Sequence, residues 1–280
     1  MQYRHMDVRP VAGALGAEVF GVDLARPLGA DPLAEIRHAW LEHLVLFFRD
    51  QRLDADQYLA FVRHIAEPVE YPMLKGLDGY PLIVPVVKLA HERVNFGGLW
   101  HSDTAYLETP PIGAALLARE IPPVGGDTLF ANMYLAYDAL SDGMQRMLDG
   151  LHAVNSSAKA DVTKTREDRL AEGGAKLAQG TELTAVHPVV RTHPETGRKL
   201  LYVNGGHTVR FDGMTEAESA PLLNYLFAHL TLPEFTCRLR WQVGTLALWD
   251  NCCTQHNPIN DYHGYRRVMH RISLGAERPV

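Results

Sequence analysis

Short apolar runs separated by turn residues restrict the fold of this sequence more than any other feature. The runs are rich in β-branched and aromatic side chains, and Gly, Pro, Asp and Asn divide them, which is typical of strands joined by turns. Because these runs do not alternate regularly with helical segments, a doubly wound α/β sheet is disfavoured and a jelly-roll-like barrel is favoured. The predicted strands are Val45–Arg49, Leu82–Val87, Gly113–Ala118, Thr128–Ala131, Lys199–Asn204, Thr236–Trp241, Thr245–Trp249 and Val268–Leu274.

Helical periodicity is confined to a few segments, each of which begins with a side chain that can cap a helix. Asp31, Asp54 and Thr215 are the predicted N-caps, and the last two have a capping-box partner three residues later. A weaker helix is predicted over 141–151. With so few helices, we predict a mainly β fold of the α+β class in which helices cover a β core.

No low-complexity tract, internal repeat or Gly/Ser linker divides residues 1–280, so we predict a single domain. The stretch from 162 to 183 is charged, contains glycines and has no strong period. Long segments of this kind inside a compact domain are usually surface insertions or lids, and we expect one around 158–185.

Charge and apolar patterning exclude several classes of partner. The chain has 27 Lys and Arg against 33 Asp and Glu, a formal net charge of -6, so no broad basic face for nucleic acid is expected. The apolar runs at 44–48 and 81–87 are far shorter than the roughly 18 residues that span a bilayer. Three cysteines and a polar N-terminus favour a cytoplasmic protein with reduced thiols.

A possible metal site begins with the sequence Trp-His-Ser-Asp. If this segment is extended, His101 and Asp103 point to the same side of the chain. A surface His–Asp pair is the simpler interpretation of this motif alone. A strand ending in Trp-Asp-Asn at 249–251, followed by a turn, could bring His256 to the pair. Two histidines and one carboxylate form the facial triad of non-haem Fe(II) oxygenases, although zinc accepts the same ligands.

Two arginines on the last predicted strand suggest anion binding. Arg267 and Arg271 share one face of this strand and lie roughly 13 Å apart at about 3.3 Å per residue. A buried arginine is costly unless it meets an anion, and its planar fork suits carboxylate or sulfonate. The pair would therefore suit two carboxylate-like groups, one from a cosubstrate and one from a substrate. The alternative is an edge strand whose arginines are solvated.

Together with the Gly-Gly-Asp-Thr-Leu sequence at 125–129, these motifs resemble the taurine dioxygenase (TauD/TfdA-like) family of Fe(II)/2-oxoglutarate-dependent dioxygenases. The resemblance covers nearly the whole chain. It implies a double-stranded β-helix core, of the jelly-roll or cupin-like type. It also implies that His101, Asp103 and His256 bind Fe(II), with 2-oxoglutarate as cosubstrate and O₂ as oxidant.

The same resemblance implies roles for residues around the metal. Arg267 would hold the distal carboxylate of 2-oxoglutarate with the help of Thr128. The implied substrate-binding residues are Arg271, Tyr71, Lys75 and His207. Because Pro68 and Gly97 stand where the taurine-cleaving member has His and Asn, we expect a different small anionic substrate: another sulfonate, an alkyl sulfate ester or an aryloxyalkanoate.

The predicted reaction hydroxylates a C–H bond of this substrate, often with cleavage to a carbonyl product, and releases succinate and CO₂. One alternative is a non-catalytic metal-binding sensor of the same fold, against which the intact Arg267 and Thr128 argue. A second is a zinc hydrolase with the same ligands, which would be active without oxygen or keto acid. A homo-oligomer, dimer or tetramer, is implied by the family resemblance only.

Overall fold

A computed structural model of the chain describes residues 3–159 and 181–280, so residues 160–180 of the predicted insertion lie outside the described residues. The strands in the described part are β1 (Asp7–Pro10), β2 (Ala17–Phe20), β3 (Val45–Phe48), β4 (Pro68–Val69), β5 (Val84–Lys88), β6 (Gly113–Glu120), β7 (Thr128–Asn132), β8 (His152–Ser156), β9 (Thr184–Pro188), β10 (Val190–Thr192), β11 (Lys199–Leu201), β12 (Thr208–Phe211), β13 (Thr236–Leu239), β14 (Leu246–Asp250), β15 (Thr254–Pro258) and β16 (Arg267–Leu274).

The α-helices of the same residues are α1 (Ala30–His43), α2 (Ala55–Arg63), α3 (Met133–Asp138), α4 (Asp142–Leu148) and α5 (Glu216–Leu230). None of the helices that the structure describes is both long and apolar enough to cross a membrane.

Two sheets build the part of the fold that positions the site. The larger has the strand order β1-β2-β3-β14-β6-β16-β4, with β5 also paired to β16, and the smaller has the order β13-β7-β15. An apolar core lies between them: the Phe47 ring of β3 is 6.0 Å from the Phe130 ring of β7, and Trp249 of β14 packs on the same ring. The predicted mainly β fold is confirmed by this arrangement.

A second apolar core lies on the outer face of the large sheet. Strand side chains alternate between faces, so Phe47 enters the inner core while Leu46 and Phe48 point outward. Helices α1 and α2 cover this outer face with Trp40 and Phe61, both buried. All of β3 is therefore buried, although only one of its faces belongs to the core between the two sheets.

The predicted helix starts are confirmed in α2 and α5 but wrong in α1. Asp54 and Thr215 each accept a backbone hydrogen bond in a complete capping box. Helix α1 instead has Gly29 as its N-cap, with no side-chain cap, and Asp31 lies in its first turn. The first N–H groups of a helix have no intrahelical partner, so Pro32 is tolerated as the third residue of the helix, which begins before Asp31.

The predicted strands are confirmed with shifted ends, of which the largest shift is at β11, predicted to reach Asn204 but ending at Leu201. Other strands and the short helix α3 were not predicted. The strands missed are β1, β2, β4, β8, β9, β10, β12 and β15. Most are short, and β15 (Thr-Gln-His-Asn-Pro) has no apolar alternation at all.

Candidate functional site

The two predicted metal-binding histidines come together through the backbone. His101 and His256 form an isolated antiparallel bridge, in which His101 N lies 3.1 Å from His256 O and His256 N lies 2.9 Å from His101 O. Their ring centroids are 4.2 Å apart. Strand β15 is in turn paired with β7, where Phe130 is the neighbour of His256. Sheet pairing therefore fixes the second imidazole beside the first.

Asp103 completes this cluster, but not in the extended geometry that the sequence suggested. Only His101 is strand-like; Asp103 lies in a turn, followed by Thr104 with a φ of 48°. Oδ1 of Asp103 is 3.6 Å from Nε2 of His101 and 3.8 Å from Nε2 of His256. All the ligand atoms lie within 4.8 Å of one another, so the three side chains can hold one metal ion.

The side chain of Asn251, in the Trp-Asp-Asn sequence, fixes the backbone of Asp103. Its Oδ1 accepts the Asp103 N–H at 2.7 Å and its Nδ2 donates to the Asp103 carbonyl at 3.2 Å. Asn251 is fully buried and follows β14 directly. The end of β14 thus sets the position of the carboxylate.

Asp103 and His256 have the protonation states that metal binding requires. Burial would raise the pKa of Asp103, but the charge of Arg271, together with the neighbouring imidazoles, outweighs burial and holds that pKa below its ordinary value. Burial, with the neighbouring His101, lowers the pKa of His256 to about 3. Nδ1 of His101 lies 2.6 Å from the carbonyl oxygen of Leu99, and the neutral tautomer that donates there has the Nε2 lone pair on the side of Asp103. An ionised carboxylate and neutral imidazoles are the ligand forms that bind metals.

A small cavity of ≈ 50 Å³ lies against His256 and is lined by Thr128 and Arg267. Arg267 is buried, and its Nε and Nη2 have no hydrogen-bond partner among the described residues. Thr128 accepts a hydrogen bond from Trp241 Nε1 at 2.9 Å, and the Arg267 guanidinium lies over the Trp241 ring. A buried guanidinium with open donors fits an anion, so this cavity can hold a small carboxylate group.

A larger cavity of ≈ 280 Å³ is lined by His101 and Asp103 and shares Arg271 with the smaller one. Its other polar lining residues include Tyr71, Tyr106 and His207, and its apolar lining residues include Val94, Phe96 and Leu99. The hydroxyls of Tyr71 and Tyr106 are 3.4 Å apart, and the Arg271 guanidinium lies 5.0 Å from the Tyr71 ring centroid. The cavity therefore has a buried cation, Arg271, among its polar lining residues, and the exposed apolar residues Val94 and Leu99 form its mouth.

His207 and two glycines shape the wall next to His101. The His207 ring is 5.7 Å from the His101 ring, and burial lowers the pKa of His207 to about 3. A Cβ at Gly97, which has a φ of 74°, would lie 3.1 Å from Cε1 of His101, and a Cβ at Gly206 would lie 2.9 Å from its Cβ. Glycine at both positions leaves room for the imidazole.

Strand β16 carries both predicted arginines on its inner face, as expected. Arg267 and Arg271 are buried, whereas Val268 and His270 between them are half-buried, and β16 lies between β6 and β5. A solvated edge strand is thereby excluded. Lys75 behaves differently: it is exposed and lines neither cavity, so its placement gives no support to a substrate contact.

A second cluster of metal-ligating side chains has a structural explanation. His193, Asp250 and Cys252 also bring ligand atoms within 4.8 Å of one another. However, Nε2 of His193 is hydrogen-bonded to Asp250 at 3.0 Å and its Nδ1 accepts two backbone N–H bonds. Burial also raises the pKa of the Cys252 thiol. The cluster fixes the end of β14, next to Asn251.

Sequence reasoning missed Tyr106, Trp241 and Asn251 as contributors to the site. Tyr106 and Trp241 carry no local signal, because they reach the cavities only through the tertiary fold. Asn251 follows the predicted strand directly, and a polar pair at the end of a buried strand was a usable signal.

Comparison with known proteins gives matches along almost the whole chain. The model of the family described as "Taurine catabolism dioxygenase TauD, TfdA family" matches residues 7–273. An alpha-ketoglutarate-dependent sulfate ester dioxygenase from Pseudomonas putida is 36% identical over 283 residues, covering 98% of this chain and 91% of the relative. An alpha-ketoglutarate-dependent 2,4-dichlorophenoxyacetate dioxygenase from Cupriavidus pinatubonensis is 34% identical, covering 94% of this chain and 96% of the relative.

Among solved structures, a taurine dioxygenase from Burkholderia xenovorans superposes with a TM-score of 0.83 at 34% sequence identity. The match covers 99% of this chain and 93% of that chain. The similarity therefore extends from the sequence to the three-dimensional fold.

Proposed function

The chain belongs to the taurine catabolism dioxygenase TauD, TfdA family, and on that premise we propose that it is an Fe(II)- and 2-oxoglutarate-dependent dioxygenase of small anionic organic substrates. The relatives named above are alpha-ketoglutarate-dependent dioxygenases. The observation that carries the proposal is one carboxylate oxygen within 3.8 Å of two imidazole nitrogens, beside a buried arginine with open donors.

In the proposed enzyme, His101, Asp103 and His256 hold Fe(II), and Arg267 with Thr128 holds the far carboxylate of 2-oxoglutarate. Bound together, iron and the keto acid supply the oxidising chemistry, in which O₂ is consumed and succinate and CO₂ are released. The protein holds the keto acid in one orientation and keeps water out through its apolar walls. His256, with its pKa lowered to about 3, remains a neutral ligand across the physiological pH range.

The proposed substrate binds in the larger cavity with its anionic group at Arg271. Nη2 of Arg271 is 3.0 Å from Oδ2 of Asp103, so an anion on this guanidinium lies next to the metal ligands. The C–H bond that is attacked is therefore close to the anionic group. Tyr71 and His207 line the same cavity and are proposed substrate contacts.

The apolar mouth of the cavity favours a substrate with an organic body larger than a short polar chain. Val94 and Leu99 line the cavity although they are 56% and 50% exposed. Sulfonates, alkyl sulfate esters and aryloxyalkanoates all combine an anion with such a body. Where the hydroxylated carbon bears sulfonate, sulfate or aryloxy, the product collapses to a carbonyl compound and a leaving anion.

A non-catalytic sensor and a zinc hydrolase would use the same metal ligands, but neither function requires Arg267. Two donors of the buried Arg267, Nε and Nη2, have no hydrogen-bond partner among the described residues, a costly arrangement unless a cosubstrate anion is bound there. A keto-acid-dependent reaction gives this residue a role.

The test is succinate release from 2-oxoglutarate across a panel of sulfonates, sulfate esters and aryloxyalkanoates. The wild-type protein is expected to release succinate only with Fe(II), O₂ and a matching substrate. Arg267→Ala is expected to raise the 2-oxoglutarate concentration that gives half-maximal succinate release by about tenfold or more, because a charged hydrogen bond is worth about 1.5–3 kcal/mol.

The matched control is Arg266→Ala, since Arg266 is exposed and paired with Glu120. This variant is expected to need the same 2-oxoglutarate concentration as the wild type. Substrate turnover without oxygen or keto acid would favour the hydrolase. Metal binding without any succinate release would favour the sensor.

A further inference from the structure

One guanidinium links the predicted metal ligand to the substrate cavity. Nη2 of Arg271 lies 3.0 Å from Oδ2 of Asp103, and both side chains are buried. The contact is a close ion pair without hydrogen-bond alignment, since Oδ2 has no hydrogen bond to any residue that the structure describes. Oδ1 of the same carboxylate faces the two imidazoles. The two oxygens of Asp103 thus face different partners.

Arg271 is itself held in place by its surroundings. It lies on β16, where the backbone pairs with Leu116 of β6 and Val84 of β5. Its Nη2 donates to Oγ of Ser273 at 3.3 Å, and its guanidinium lies over the Tyr71 ring. A fixed cation of this kind can determine the orientation of a neighbouring carboxylate.

We propose that Arg271 is a positioning residue for Asp103, holding Oδ2 so that Oδ1 alone faces the metal. Carboxylates that bind metals are usually fixed by partners outside the metal's own ligand set, and loss of such a partner typically costs about 10–100-fold in metal affinity or activity. Without the guanidinium, the carboxylate loses this restraint on its orientation and its buried Oδ2 has no counter-charge.

This inference rests on the proposed function and adds a link between its two sites. Nε of Arg271 is buried and has no hydrogen-bond partner among the described residues, which leaves one side of the guanidinium for a substrate anion. Substrate and metal therefore share one side chain. If a bound anion changes the affinity of the protein for the metal by some factor, the bound metal must change the affinity for the anion by the same factor.

The experiment measures the Mn(II) affinity of the metal-free protein by calorimetry, without 2-oxoglutarate or substrate. Arg271→Gln is expected to bind Mn(II) about 10–100-fold more weakly than the wild type. Arg271→Lys, which keeps the charge, is expected to recover most of this loss. Arg266→Gln removes an exposed guanidinium just before the same strand and is expected to leave the affinity unchanged.

Wild-type affinity in Arg271→Gln would overturn the inference. Ser273→Ala keeps the guanidinium and removes its hydrogen bond, so it tests the same point if Arg271→Gln fails to fold. We expect this variant to bind Mn(II) about 2- to 10-fold more weakly, the worth of one hydrogen bond, and an unchanged affinity would again overturn the inference. Wild-type affinity in Asp103→Asn would instead overturn the proposed metal site.

Discussion

At the scale of single residues, buried histidines beside a buried carboxylate determine how the site responds to pH. His256 and His207 are both neutral in the folded chain well below the pH at which a solvated histidine takes up a proton. The cause is burial, which removes most of the solvent that would stabilise a charged imidazole. Both histidines therefore stay in the form that binds metals or accepts hydrogen bonds.

This neutrality predicts that the metal-free protein loses stability in mild acid. A histidine with a pKa near 6.5 when unfolded and about 3 when folded takes up a proton only in the unfolded chain between these values. The free energy of unfolding is therefore expected to fall as the pH drops from about 6.5 toward 3. Urea titrations of the metal-free protein at pH 7 and pH 5 measure the fall.

His207→Phe removes one of these groups and is expected to lose less stability between pH 7 and pH 5 than the wild type. Tyr106→Phe is the matched control, because it changes the same cavity wall without removing a group that titrates in this range. If His207→Phe and Tyr106→Phe show the same loss as the wild type, burial of a neutral His207 is not the cause.

Single residues could be predicted from the sequence where the residue types of a motif are themselves metal ligands. His101, Asp103 and His256 were predicted as a cluster, and the structure brings them together. Lys75 was predicted to contact substrate because of a local resemblance, but its side chain is exposed, and nothing in a single loop determines which way a long charged side chain points. Tyr106 had no local signal at all.

At the scale of elements, α2 offers a direct test of how local sequence fixes a helix. The Asp54 side chain accepts the Gln57 N–H at 2.8 Å and the Gln57 side chain accepts the Asp54 N–H at 2.9 Å. Asp54→Ala is expected to lower the free energy of unfolding by about 1 kcal/mol, measured by urea unfolding.

The control for this prediction is Arg63→Ala in the last turn of α2. Arg63 forms an exposed 3.9 Å ion pair with Glu67, and such pairs contribute about 0.3–0.5 kcal/mol. An equal loss in both variants would mean that the capping box adds nothing beyond ordinary surface contacts.

Elements whose signals lie within a few residues could be predicted, and elements formed by distant pairing could not. The capping boxes of α2 and α5 are local and were predicted correctly. Strand β15, which carries His256, consists of polar side chains and is formed by pairing with β7 and with His101. Its sequence lacks the apolar–polar alternation of a half-buried strand because it supplies a side chain to the site.

At the scale of the whole molecule, the pattern of strands and helices in the sequence predicted the fold class, but it did not predict that His101 pairs with His256. Many short strands with few helices indicated a jelly-roll-like core, as the structure has. The pairing of His101 with His256 joins parts of the chain that no periodicity relates. The turn after 249–251 allowed this pairing, and the family resemblance implied it. A single domain and a homo-oligomer remain predictions.

The most direct measurement of the proposed function is the visible absorption of the Fe(II)-loaded protein when 2-oxoglutarate is added without oxygen. We expect a weak charge-transfer band that saturates with the cosubstrate, is lost in Asp103→Ala and needs about tenfold or more 2-oxoglutarate in Arg267→Ala. A wild-type protein with no such band, or an Asp103→Ala variant with an unchanged band, would contradict iron and keto-acid binding by this site.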